Sequence, residues 1–268
     1  AQMDSNHIPV ALTIAGSDCS GGAGIQADLK TFLNHRVQGL SAVTCIVAET
    51  PLEVRHIEQV QESTLEAQLN ILSESYPISA AKTGLLPSQA SIHSVAKVLI
   101  KSGIPLVVDP VMIASTGSSL TEENTLHALT HQLLPLATLV TPNIPEAEAI
   151  LQRSIQSEDE LVTAARDIAQ CYGISCLVKG GHLPGDVERL DVLWHADHAH
   201  HFRHPYIALP DGMHGTGCTL SAAITAGLAH DQSMTDTVSA AIAYVQQLIG
   251  NAHTWKHNDH SIRCLAWL

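Results

Sequence analysis

The chain has few basic side chains. Only 13 Lys and Arg stand against 26 Asp and Glu, so 268 residues carry a formal net charge of −13. Nucleic-acid binding depends on a basic surface that releases counterions, and no run of Lys or Arg is present to supply one. We therefore expect no nucleic-acid partner. A phosphate-bearing substrate of so acidic a protein would need locally placed amides, cations or a divalent metal ion.

Paired cysteines and long apolar runs are also missing. The six cysteines include no C-x-x-C pair, and a chain of this length does not depend on disulfides, so we expect reduced thiols and a cytoplasmic location. The first residues carry Asp4 and only a short apolar run at 10–15, unlike a signal peptide. No apolar run is long enough to span a bilayer. No membrane association is expected.

Internal repeats, low-complexity linkers and breaks in composition are absent as well, which favours one domain over residues 1–268. Short apolar runs alternate with longer amphipathic stretches, the pattern of a mostly parallel sheet with helical crossovers. Residues 190–202 read as an antiparallel hairpin at a sheet edge. Buried strands are predicted at 10–16, 41–48, 78–84, 105–111, 137–143 and 174–181, and helices at 24–35, 216–229 and 233–250, the last two closing the chain.

Polar side chains follow the ends of these strands. Ligands of open α/β sheets gather at the carboxyl ends of the strands, so these side chains are expected to meet. They are Ser17, Asp18, Glu49, Lys82, Thr83, Asp109, Asn143 and Lys179.

The segment HGTGCTL, residues 214–220, has two glycines around a threonine just before an apolar helix. Successive amides at such a helix start can converge on an anion. Leu220 stands where a dinucleotide fingerprint needs its third glycine, and Cys218 where a Walker motif needs lysine. We predict an anion hole for a transferring phosphoryl group, formed by Gly215, Thr216, Gly217 and Cys218. The helix dipole is expected to favour a Cys218 thiolate. A Gly-rich helix start with a buried cysteine is the simpler alternative.

Three further segments have two interpretations each. The glycines of residues 16–28 either bring backbone close to a substrate or form a flexible loop beside a solvated Asp28. Asn143 and Glu146 either serve phosphates and magnesium or merely cap a helix. Asp109, at the end of a buried strand, needs a metal complex or a basic partner. The histidines of residues 195–204 are expected to be surface residues on the hairpin rather than a metal site.

Five segments in this order and spacing resemble the hydroxymethylpyrimidine/phosphomethylpyrimidine kinases of thiamine biosynthesis, which belong to the ribokinase-like superfamily. The resemblance spans roughly residues 10–250. The segments are ALTIAGSDCSGGAGIQADLKTF, VVDPVM, TPNIPEAEAIL, VKGGHL and HGTGCTLSAAI.

The resemblance implies a three-layer α/β/α sandwich that uses ATP and Mg²⁺ to phosphorylate 4-amino-5-hydroxymethyl-2-methylpyrimidine and then its monophosphate. Cys218 stands where most ribokinase relatives have an aspartate base, which implies that it accepts the substrate proton. A homodimer is also implied. By the same resemblance the pyrimidine pocket includes Gly16, Asp28, Glu49, Leu85 and Val111, magnesium is served by Asp109 and Glu146, and the nucleotide phosphates by Asn143 and Lys179.

Two residues depart from the family pattern. Glu49 replaces a common glutamine, and an ionised carboxylate cannot donate to a ring nitrogen. Ser115 replaces a frequent lysine. Other functions therefore stay open: a pyridoxine or pyridoxal kinase, a cysteine hydrolase using Cys218 and His214, or a nucleotide-binding regulator without catalysis.

Overall fold

The computed structural model describes residues 8–112, 124–181, 188–207 and 214–267. Its centre is a sheet of nine strands in the order β3-β2-β1-β4-β5-β6-β7-β8-β9. The strands are β1 (Val10–Asp18), β2 (Gln38–Thr50), β3 (Glu53–Gln59), β4 (Ile78–Thr83), β5 (Leu106–Val108), β6 (Leu139–Val140), β7 (Ser175–Lys179), β8 (Glu188–His195) and β9 (His198–Pro205). Pairing is parallel from β2 to β7, while β3, β8 and β9 add to the two edges in antiparallel fashion.

Helices cover both faces of this sheet and make a three-layer sandwich. They are α1 (Gly24–Asn34), α2 (Glu62–Ser75), α3 (Gln89–Leu99), α4 (Thr125–Ala128), α5 (Ile144–Leu151), α6 (Glu158–Tyr172), α7 (Thr216–Ala229) and α8 (Met234–Gly250). Side chains of α2, α3, α5 and α6 share one apolar core with the sheet. Those of α1, α7 and α8 form a second core on the opposite face. None of the helices within the described ranges is both long and apolar enough to cross a bilayer.

Helix α7 is the centre of its layer. Every residue from Thr219 to Ala229 is buried, and the helix packs against α1, α8 and strand β4. A helix that is apolar all round is stable only when other elements enclose it. The chain leaves β1 for β2 on one side and returns to β4 on the other, which is a topological switch point. The first turn of α7 lies next to β1 and β4.

All six predicted parallel strands and the edge hairpin are confirmed, although β5 and β6 are shorter than expected. Pro110 and Pro142 follow them closely, and proline has no N–H for the ladder. The expectation that two helices close the chain is wrong, because a separate hairpin of β10 (His253–His257) and β11 (His260–Cys264) follows α8. Strand β3 was also missed. These strands are largely exposed and polar, so no apolar pattern marks them.

Truncation of Ile224 in α7 tests the importance of the second core. Ile224 is fully buried there, so Ile224→Ala should lower the free energy of unfolding by about 2–5 kcal/mol. Leu33 on α1 is 75% exposed, and Leu33→Ala should change it by less than about 0.5 kcal/mol. Urea unfolding followed by circular dichroism measures both. Equal losses in the two variants would contradict the assigned packing.

Candidate active site

A cavity of about 810 Å³ opens along the carboxyl ends of the parallel strands. The first turn of α7 lines it, and polar residues from the strand ends complete its wall. Of the site residues predicted from the sequence, the wall includes Gly16, Glu49, Leu85, Asp109, Val111, Asn143, Glu146, Lys179, Gly215, Thr216, Gly217 and Cys218. Of the polar side chains expected to meet at the strand ends, four line this cavity, namely Glu49, Asp109, Asn143 and Lys179, whereas Ser17, Asp18, Lys82 and Thr83 are not part of its wall. Ser115 lies outside the described residues.

The first turn of α7 is held tightly against the glycine loop that follows β1. Gly215 has a φ of +83°, and a Cβ placed there would overlap the carbonyl oxygen of Gly22. Next to it, His214 Nε2 lies 2.8 Å from Asp18 Oδ2. The same carboxylate oxygen accepts the backbone N–H groups of Gly22 and Ala23. Two segments that are 196 residues apart in sequence are thus locked together.

The contacts of Asp18 determine whether its carboxyl group is charged. Burial raises the pKa of Asp18, but hydrogen bonds from His214 and Ser20 and the charge of His214 outweigh it and lower that pKa to about 2. Asp18 is therefore ionised, and the His214 nitrogen beside it donates.

Cys218 is partly exposed and lines the cavity, as expected. Its ionisation differs from expectation. Burial raises the pKa of the Cys218 thiol to about 12, with the charge of Lys82 and a backbone hydrogen bond from Gly24 lowering it and the carboxylates of Asp28 and Asp109 raising it. Desolvation of the sulfur is the largest influence on this pKa, and it opposes formation of the thiolate.

Asp28 lies behind the cavity wall rather than in the expected ring pocket. Its carboxylate is fully buried, where Oδ1 lies 2.7 Å from Lys82 Nζ and Oδ2 accepts the Thr13 hydroxyl at 2.6 Å. Neither Asp28 nor Lys82 appears on the wall. The sequence offered no sign of this pair beyond the position of Lys82 at the end of a buried strand.

A second group of charges surrounds Asp109. Lys179 Nζ lies 3.4 Å from Asp109 Oδ1, while Thr141 and Ser221 donate hydroxyl hydrogen bonds to the carboxylate, both at 3.3 Å. Burial and the charge of Asp109 raise the pKa of Glu146 to about 7, against the opposing charge of Lys179. Two buried carboxylates that interact unfavourably and line one cavity suit a hard divalent cation, which prefers oxygen ligands. The residues present fit magnesium.

The capping interpretation of Asn143 and Glu146 is confirmed. The side chains form a capping box at the start of α5, with the Glu146 N–H donating to Asn143 Oδ1 and the Asn143 N–H to Glu146 Oε2, each at 2.9 Å. Both residues still line the cavity, so capping fixes their place in its wall.

Glu49 lies at the other end of the wall, on β2. One ligand-type atom each from Asp18, Glu49 and His214 falls within 4.8 Å of the others. Burial raises the pKa of Glu49, the charge of His214 lowers it and that of Asp18 raises it, for a net increase. The family's usual glutamine is thus replaced by a carboxyl group whose charge depends on its neighbours.

Sequence reasoning missed a buried polar chain at the far end of the cavity. His204 was assigned to the hairpin surface, but its Nε2 lies 3.1 Å from Asp191 Oδ2, and its Nδ1 accepts a hydrogen bond from Gln246 Nε2 at 3.0 Å. Alternation along β9 turns His204 inward, whereas His198 and His201 are exposed. That alternation was the available signal.

Exchange of Gly215 for alanine tests the close approach of the two loops. Gly103 has a similar φ of +63°, and no atom lies within 4 Å of where its Cβ would be, so Gly103→Ala should cost only the backbone strain of about 1–2 kcal/mol. Gly215→Ala should cost about 1–3 kcal/mol more because of overlap with the Gly22 carbonyl. Chemical unfolding of both variants measures the difference, and equal costs would mean that the loops do not meet.

Comparison with known proteins agrees with this geometry. Residues 18–263 match the family model described as phosphomethylpyrimidine kinase. The chain is 40% identical over 261 residues to a putative hydroxymethylpyrimidine/phosphomethylpyrimidine kinase 2 of Schizosaccharomyces pombe, covering 90% of this chain but only 47% of that protein. It is 39% identical over 242 residues to the hydroxymethylpyrimidine/phosphomethylpyrimidine kinase of Synechococcus elongatus, covering 90% of this chain and 92% of the relative.

Among solved structures, an ADP complex of Bacillus subtilis pyridoxal kinase superposes with a TM-score of 0.87 at 33% identity, over 97% of this chain and 98% of that one. The fold is therefore the ribokinase-like sandwich, and this chain belongs to the phosphomethylpyrimidine kinase family.

Proposed function

We propose that this chain, as one kinase domain, transfers the γ-phosphoryl group of ATP to the hydroxymethyl oxygen of 4-amino-5-hydroxymethyl-2-methylpyrimidine, and a second phosphoryl group to the resulting monophosphate. The observation that carries the proposal is the first turn of α7, whose amides and Cys218 line one cavity together with Lys179 and Asp109. The names of the family and of its relatives support this substrate.

We infer from the sheet order that the two reactants bind at opposite ends of the cavity. Gly16 on β1, Glu49 on β2 and Leu85 just after β4 lie around the switch point and suit a small ring. Asn143 follows β6 and Lys179 ends β7, on the other side of the α7 start. With the ring on the first side and the nucleotide on the second, the transferring phosphoryl group lies at the α7 start between them.

That position stabilises negative charge. The first N–H groups of a helix have no partner within it, and Gly215 to Cys218 supply them here. Lys179 Nζ lies 3.4 Å from where a Cβ of Gly217 would be, so glycine leaves room for cation and phosphate together. Asp109 and Glu146 would hold magnesium, which neutralises phosphate charge when bound.

In the transfer, the hydroxymethyl oxygen forms a bond to the γ-phosphorus as the bond to the bridging oxygen of ADP breaks, and the hydroxyl proton passes to Cys218. A neutral thiol cannot accept that proton, so turnover depends on the thiolate fraction. With a pKa of about 12, that fraction rises about tenfold per pH unit across the neutral range.

Substitution of Cys218 tests this role. Cys218→Ala should lower kcat by about 100-fold or more, since general bases typically contribute that much, while ATP affinity stays nearly unchanged. Wild-type kcat should rise with pH between 7 and 9. Cys218→Asp restores an acceptor of lower pKa and should flatten that rise. Steady-state kinetics of pyrimidine phosphorylation measure all three; lost ATP binding in Cys218→Ala would instead indicate a structural role.

A pyridoxal kinase is the second candidate, favoured by the 0.87 TM-score to the Bacillus subtilis enzyme over 97% of the chain. Glu49 separates the two because it lines the ring side of the cavity.

Exchange of Glu49 for glutamine tests which ring the site prefers. Glu49→Gln supplies an N–H donor that an ionised carboxylate lacks, so kcat/KM for hydroxymethylpyrimidine at pH 8 should rise about tenfold, the worth of one hydrogen bond. The kcat/KM for pyridoxal should not rise in this variant. Paired assays on both substrates measure this change, and a gain confined to pyridoxal would favour the second candidate.

A cytoplasmic location and a homodimer complete the proposal. The first is supported by six cysteines that are all free. Light scattering of the purified chain tests the second.

A further inference from the structure

A fully buried ion pair lies beneath the reaction centre. Lys82 on β4 and Asp28 on α1 both have side chains that are 0% exposed, with Nζ and Oδ1 2.7 Å apart. Desolvating two charges costs more than burying apolar residues of the same size, so such a pair is weak evidence for stability alone. Neither side chain reaches the cavity wall. The pair therefore needs a reason other than packing or direct ligand contact.

That reason is found at the start of α7. Lys82 Nζ lies 3.4 Å from the main-chain carbonyl oxygen of Cys218, to which Ser221 Oγ also donates at 3.1 Å. Asp28 cannot move freely, because Thr13 holds its second oxygen at 2.6 Å. The ammonium is consequently fixed between an anchored carboxylate and the residue of the reaction centre.

We propose that Lys82, anchored by Asp28, is a positioning residue: it fixes the Cys218 carbonyl and places a positive charge under the Cys218 thiol. This inference deepens the proposed function and depends on it only for the use made of the thiol. Lys82 touches neither ring nor nucleotide, and it acts through Cys218.

The surrounding charges agree with this role. Burial lowers the pKa of Lys82, but the charges of Asp28, Cys218 and Asp109 raise it above its usual value, so the ammonium persists. Charged groups reach Cys218 from four elements: Lys82 on β4, Asp28 on α1, Asp109 after β5 and Lys179 on β7. Lys82 is the largest influence that opposes the desolvation of the thiol. The carboxylate of Asp28 instead raises the pKa of the thiol. Substitutions of Lys82 and of Asp28 should therefore change that pKa in opposite directions.

The rate at which iodoacetamide alkylates Cys218 measures the effect of Lys82 on the thiol, because the thiolate is the reacting form. The rate is followed by mass spectrometry of the Cys218 peptide at pH 8 in the full chain. Cys171 on α6 is exposed and lies in the opposite helical layer, so its rate is the internal reference.

Lys82→Met should slow Cys218 alkylation relative to Cys171 by about tenfold, equivalent to one unit in thiol pKa. Asp28→Asn should accelerate it severalfold, because the opposing negative charge is lost. The double variant Asp28→Asn/Lys82→Met should fall between the two. A merely structural pair would shift both single variants in the same direction.

The inference is overturned if both single variants change the alkylation rate of Cys218 in the same direction. It is also overturned if the rate in Lys82→Met stays within about twofold of the wild-type rate. If Lys82→Met does not fold, Asp28→Asn decides: acceleration supports the inference and an unchanged or slower rate overturns it. Pyrimidine phosphorylation is assayed separately on the wild-type chain. Failure there with the expected alkylation pattern refutes the proposed function alone, whereas normal phosphorylation with no alkylation response refutes this inference alone.

Discussion

The contact between the start of α7 and the glycine loop after β1 is the constraint on which the site depends. Gly215 approaches the Gly22 carbonyl so closely that no side chain fits, and Gly24, at a φ of +57°, approaches the Gly16 carbonyl in the same way. These approaches set the direction of the α7 amides, the position of Cys218 and the end of β1 together. The buried contact of His214 with Asp18 holds the arrangement closed. The start of α7 and the end of β1 are thus held together by direct contacts.

Charge in this acidic protein is organised locally. Three buried carboxylates each have a basic partner: Asp18 has His214, Asp28 has Lys82 and Asp109 has Lys179. A phosphate group repelled by the overall charge would therefore meet cations and amides inside the cavity. The low dielectric of such a site strengthens each of these interactions. It also keeps the Cys218 thiol neutral, so the thiol needs the nearby cations more than an exposed one would.

Membership of the family says more about phosphoryl transfer, at one end of the cavity, than about the choice of ring at the other end. In the proposed function, transfer of a phosphoryl group depends on the α7 start, Lys179 and the carboxylates, and these suit a pyrimidine or a pyridoxal acceptor equally well. The identity of the ring would depend on a few side chains of β1, β2 and the segment just after β4. There the chain carries Glu49 instead of the usual amide, with a pKa raised by burial. The common chemistry of the family and the choice of substrate are therefore encoded by different residues.

From the sequence alone, the parallel strands, the edge hairpin and the gathering of polar residues at the α7 start could be predicted. Apolar runs bounded by glycine and proline mark buried strands, and parallel strands end at the same edge, so linear order already implies that Glu49, Asp109 and Lys179 share a cavity. Only the tertiary structure decided that Asp28 pairs with Lys82, 54 residues away, behind the wall. It also decided that burial raises the pKa of Cys218 and that His204 turns inward. Desolvation and ion pairing depend on what surrounds a group in space, and the exposed strands β3, β10 and β11 bury too little apolar surface to leave a pattern.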